Sequence, residues 1–160
     1  MSDFAVSWQL SRHRFVKTIS DLNQEQLNWR IYPEALTIAE MAMHVAGVEI
    51  SFTSQILGLS LDELKTRLKA AATDGVVNDK PFPFTPEEMT PDAVKHALSV
   101  AHDMVEPLIS NPGEEALSVE LVSALGPVIT GKGALARFAF HPGYHQGQAY
   151  LIRNAPGFPK

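Results

Sequence analysis

Apolar residues return at helical intervals in four long stretches of this 160-residue chain, and proline, glycine and asparagine fill the gaps between them. This pattern limits the fold more than any single motif does, because long amphipathic helices must bury their apolar faces against one another. In the first stretch, residues 4–20, Phe4, Trp8, Phe15 and Ile19 fall near multiples of 3.6, which leaves Arg14 and Lys17 for water. Residues 21–36 carry Asn23, Asn28 and Pro33 and read as an ordered connection with a short turn around 24–27. The second helix opens at Thr37-Ile38-Ala39-Glu40, a capping box in which a hydroxyl and a carboxylate three residues on satisfy free backbone N–H groups. It runs to Leu57, with Gly58 as its stop, and Met41, His44, Val45, Val48 and Phe52 form its stripe. A second box, Ser60-Leu61-Asp62-Glu63, opens a shorter, charged helix to Ala72 that suits a solvated cover better than a core element.

Residues 73–89 hold Gly75, Pro81, Pro83 and Pro86 and form a loop. Thr90 caps the third long helix and Pro91 takes its first position. That helix reaches Ile109, with Pro107 straining the last turn and Asn111-Pro112-Gly113 ending it. Residues 114–132 are mixed, with 119–129 extended and broken at Gly126-Pro127. The fourth helix starts near Gly133 and runs to Asn154, ended by Pro156 and Gly157. The expected architecture is all-α: a four-helix bundle in a single domain, residues 1–160, with a short extra helix and long loops.

Composition narrows the chemistry. The charge sum of −5 and the lack of any Lys/Arg cluster argue against nucleic acid and against an anionic membrane surface. There is no cysteine, which excludes disulfides, thiolate metal sites and cysteine nucleophiles. Any protein metal site must use His, Asp or Glu, and any thiol must arrive on a substrate. No apolar stretch reaches the roughly 18 residues of a membrane span. With no basic region followed by an apolar run at the N-terminus, a cytoplasmic protein is expected.

Against that background His141 and His145 stand out. Four residues apart on a helix, they share one face a turn apart. Six histidines give about 0.2 such pairs by chance, and a single histidine on an apolar stripe is more often a hydrogen-bonded core residue. Three features add weight. The pair lies on an otherwise apolar helix. His44 sits in the middle of the second helix's stripe, and bundle cores build metal sites from facing helices. Three histidines also leave a coordination position open, as catalytic sites do. His13 lies on a basic stretch, Arg12-His13-Arg14, that is expected to be exposed, and His13, His96 and His102 read as surface or satisfied residues.

Thr37 to His44, together with Phe138-Ala139-Phe140-His141-Pro142-Gly143-Tyr144-His145-Gln146-Gly147-Gln148, resembles the DinB-like (damage-inducible, YfiT-like) superfamily. The segment from Tyr150 to Pro159 is similar in character. The resemblance implies an up-down-down-up four-helix bundle, often a homodimer, with a divalent metal held by residues matching His44, His141 and His145. Some relatives are bacillithiol- or mycothiol-dependent transferases or isomerases, and others are described as metal-dependent hydrolases. This chain departs from the family in placing Pro142-Gly143 after the first histidine of the pair. Proline removes an N–H and clashes with the carbonyl of Phe138, at a cost of about 3 kcal/mol, so a kink is expected at the site itself.

Zinc or nickel suits three imidazoles. A bound water would be acidified and attack as hydroxide, or a substrate thiol would bind as thiolate. Glu40, four residues before His44, offers a base or a partner for a ligand, against the alternative that it only closes the capping box. Gln148 is placed to orient a ligand or substrate. Tyr144 is expected to pack between helices, and Gly147 to permit a close helix contact. Two readings result: a metal-dependent thiol S-transferase or hydrolase acting on a small molecule, or a non-catalytic dimeric binding protein whose histidines are structural.

Overall fold

The computed structural model describes residues 1–160. Its four long helices are α1 (Asp3–Ile19), α3 (Ile38–Leu57), α5 (Pro91–Ser110) and α7 (Gly131–Arg153). Between them lie α2 (Gln24–Asn28), α4 (Glu63–Ala70), α6 (Glu114–Ser118) and the short strands β1 (Glu120–Val122) and β2 (Val128–Thr130). The chain is mostly helical, as the periodicity requires. α1 packs on α7, α7 on α3, α3 on α5 and α5 on α1.

Each long helix begins where a side-chain oxygen can take an orphan N–H. Ser2, Thr37, Thr90 and Thr130 accept from the backbone N–H groups of Ala5, Glu40, Ala93 and Gly133. The Thr37–Glu40 box is reciprocal, and Gly58 ends α3 in the left-handed conformation at φ 60°. α3 is buried on nearly every side, which marks it as the central helix of the core. On α1 the buried positions are Ala5, Trp8, Arg12, Phe15 and Ile19, one continuous face.

The structure corrects several local expectations. α4 is capped by Asp62, whose carboxylate accepts from Lys65 N, and not by Ser60; it ends at Ala70 rather than Ala72. Only Leu68 of that helix is buried, so it is a cover element as expected. Residues 114–118 form a helical turn that the mixed pattern hid, whereas the extended stretch expected over 119–129 is present as an antiparallel hairpin over 120–130 that turns at Gly126. α7 starts two residues early, at Gly131, because Thr130 is its cap. Arg12 is buried, not part of an exposed basic stretch with His13 and Arg14.

Two close approaches depend on glycine. A Cβ on Gly47 would lie 2.3 Å from the Leu68 carbonyl oxygen and 2.8 Å from Ala72 N. The end of α4 therefore rests directly on the α3 backbone, one turn beyond His44. A Cβ on Gly131 would lie 1.8 Å from the Ala116 carbonyl oxygen, which fixes the start of α7 against α6.

Candidate metal centre

His44 faces inward from α3, and His141 and His145 face it from α7. The three side chains converge on one point: His44 Nε2 is 3.1 Å and His145 Nε2 3.0 Å from His141 Nε2. His44 and His145 are buried, and His141 is partly so. The helix continues through Pro142 without a break, so the one-turn geometry of the pair survives the proline. Gly143 beside it faces α1, where an added Cβ would lie 3.4 Å from Ser11 Cβ.

What fixes the rings lies on their other nitrogens. His44 Nδ1 is 3.0 Å from the Ala71 carbonyl oxygen, which the Gly47 contact brings within reach. A carbonyl only accepts, so the proton sits on Nδ1 and the lone pair on Nε2. His145 Nδ1 lies 2.7 Å from Gln148 Oε1 and is held in the same tautomer. Burial lowers the pKa of all three rings. His141 falls to about 2, with His145, His44 and Arg137 adding to the effect of burial. His145 falls to about 4 through burial and then His44, opposed by Gln148. His44 is lowered by burial, opposed by the Ala71 carbonyl.

At neutral pH the cluster therefore holds three uncharged rings. Two Nε2 lone pairs point at the third Nε2, which carries at most one proton. No arrangement of protons satisfies all three atoms well, and a cation between them does. Nitrogens about 2.0–2.1 Å from a tetrahedral ion stand about 3.3 Å apart, close to the observed separations. The donor set thus fits a divalent metal, with hydrogen bonds from the outer nitrogens of the kind that orient metal-bound imidazoles. No other group of His, Cys, Asp or Glu in the chain is so placed.

Of the remaining sequence candidates, Glu40 is spent elsewhere. Its carboxylate accepts from Thr37 N at 2.7 Å and pairs with Arg30 at 2.7 Å. Gln148 orients His145, as described. Tyr144 is half-exposed and lies edge-on to His145 at 5.0 Å between ring centres, instead of packing between helices. Gly147 meets no neighbour within 4 Å of an added Cβ, so it permits no close helix contact. His13, His96 and His102 are exposed, as expected.

Sequence reasoning missed the space beside the histidines. A cavity of about 490 Å³ is walled by His44 and His141, by Val48, Phe52 and Gln55 of α3, by the end of α4, and by residues 122–125 of the hairpin. Arg137, one turn before His141 on the same face of α7, also lines it. The i, i+4, i+8 spacing of Arg137, His141 and His145 was the available signal.

Helical fold and site together define a protein whose three facing histidines could hold a metal ion at the wall of a cavity. Residues 7–149 match the family model described as the DinB superfamily, and the chain belongs to that superfamily. No curated protein matches the chain. No helix is long and apolar enough to cross a membrane.

Proposed function

We propose that this protein is a divalent-metal-dependent enzyme in which His44, His141 and His145 hold zinc or nickel and the adjoining cavity admits a small-molecule substrate. The observation that carries this reading is the convergence of three Nε2 atoms whose lone pairs have no sufficient proton partner. When bound, such an ion supplies a Lewis acid that lowers the pKa of a water or thiol at the position three histidines leave open. Ala71 and Gln148 hold the rings in the ligating tautomer. Val48, Phe52 and Val77 give the cavity apolar walls.

Thiol S-transfer is the preferred reaction, ahead of hydrolysis. No Asp or Glu lines the cavity, and Glu40 is committed to its cap and to Arg30. A hydrolase would want a carboxylate base there, whereas a low-molecular-weight thiol, already more acidic than water, would be held by a bound ion as thiolate with its proton released to solvent. The same proposal includes a single domain over residues 1–160, an up-down-down-up bundle, a homodimer, a cytoplasmic setting, and no nucleic-acid partner.

Elemental analysis of untagged protein after incubation with zinc or nickel should find about one equivalent of metal, lost in His145→Ala. At a hundredfold excess over Kd, zinc should add about 2.7 kcal/mol of stability. Under a tenth of an equivalent, unchanged in the variant, would refute the reading.

A further inference from the structure

The cavity beside the histidines is unusual in its charge. The chain has 18 acidic and 13 basic residues, yet no acidic side chain lines this space, while Arg137 and Lys69 both do. Neither cation is paired with a carboxylate anywhere in the structure, unlike Arg12, Arg30, Arg67 and Arg153. Arg137 is half-buried and held in place: its Nη1 donates to Ser123 Oγ at 2.8 Å, and its guanidinium carbon lies 5.8 Å from the Phe52 ring centre. The hairpin that carries Ser123 is itself tied to α3, since Val122 N donates to Gln55 Oε1 at 3.3 Å. One guanidinium donor is thus engaged with a neutral hydroxyl. The others have no anionic partner, although a fork of this kind matches a carboxylate.

We propose that the cavity binds an organic carboxylate with an apolar body, its anionic end held by Arg137, assisted by Lys69, and its body laid along Val48, Phe52, Val77 and Phe140 toward His141. Placement of Arg137 one turn from His141 puts the reacting part of such a molecule beside the histidine cluster. The volume of about 490 Å³ suits a small molecule of this class. The inference names the substrate class of the proposed metal site and in that sense rests on it. The anion-binding half nevertheless stands on Arg137 and the cavity alone.

The test uses 4-phenylbutanoate, its uncharged amide and the corresponding phenylbutylamine, titrated calorimetrically into the whole protein, metal-free in EDTA and separately zinc-loaded. In the metal-free protein the carboxylate should bind about tenfold or more tighter than the amide, and the amine weakest. Arg137→Gln should bring the carboxylate to the level of the amide. Because that variant also loses its tie to the hairpin, Lys69→Gln on the exposed end of α4 serves as a second probe and should weaken the carboxylate severalfold. No preference for the carboxylate over the amide in the metal-free protein, whether both bind or neither does, would overturn the proposal. Zinc stoichiometry in the parallel arm decides the metal reading separately: carboxylate preference without zinc uptake would leave the anion site standing and remove the metal.

Discussion

Two polar clusters are buried along α3, and they differ in how their hydrogen bonds close. Both carboxylate oxygens of Glu49 are paired. Its Oε1 accepts from Trp8 Nε1 at 2.8 Å, its Oε2 accepts from Arg12 Nη1 at 2.7 Å, and Arg12 Nη2 donates to the Leu98 carbonyl. Five residues earlier, His44 belongs to a cluster in which the outer nitrogens of two rings are satisfied and the inner nitrogens face one another. The first cluster closes its hydrogen bonds within the fold, whereas the second leaves three ring nitrogens facing one another at a place where a metal ion could fit. Burial alone does not distinguish a structural polar group from a functional one. The balance of donors against acceptors does.

The largest expected effect tests this directly. Arg12→Met leaves the Glu49 carboxyl buried without its cation and should cost about 3–5 kcal/mol in urea unfolding. His141→Gln, which removes one inward nitrogen while keeping much of the volume, should cost about 1 kcal/mol or less in the metal-free protein, yet abolish zinc binding. Comparable losses in the two variants would erase the contrast between the clusters.

Gln148→Leu sharpens the same contrast from the metal side. The substitution frees His145 Nδ1 and with it the ring's tautomer. Zinc affinity, read by competition with a chromophoric chelator, should fall about 10–100-fold. An unchanged affinity would mean that the 2.7 Å bond to Gln148 contributes nothing to ligation.

A smaller effect comes from pH. The folded rings of His141 and His145 have pKa values of about 2 and about 4, below the unfolded value of about 6.5. Unfolding therefore takes up protons as pH falls below 6.5, and the metal-free protein loses stability in that direction. The loss approaches about 1.4 kcal/mol per pH unit for each ring. Above pH 6.5 both states are neutral and the slope vanishes. Urea midpoints in EDTA between pH 7 and 5 should show the decline, and His141→Gln should make it shallower by one ring's share while His145 keeps its own. A level profile in the unsubstituted protein would contradict a neutral, buried triad.

Much of this was legible in the sequence. Capping residues Thr37 and Thr90, the stop at Gly58 and the helical stripes reflect local chemistry, and the structure repeats them. The three histidines were legible because their spacing and stripe positions place them without knowledge of the packing. Arg12 was misread because its charged neighbours suggested exposure, although it falls on the Ala5–Trp8–Phe15–Ile19 face. Long-range contacts left no comparable trace. That Ala71 would hold His44 depends on α4 folding back onto Gly47, and the cavity depends on a hairpin pinned by Gln55 and Arg137.

Gly147 separates the fold from the site at the smallest scale. It lies between His145 and Gln148 in the sequence, so it looks like part of the metal motif. In the structure it is exposed on α7, and an added Cβ meets nothing within 4 Å. Glycine inside a helix costs about 0.8–1.0 kcal/mol relative to alanine through backbone entropy. Gly147→Ala should therefore stabilise the protein by up to about 1 kcal/mol in urea unfolding and leave zinc affinity unchanged. Destabilisation would reveal a surface that α7 buries only in an assembled form, and size-exclusion with light scattering on both proteins would show whether the change shifts the oligomer. A drop in zinc affinity at constant mass would instead tie this position to the orientation of His145, against the open space the structure shows beside it.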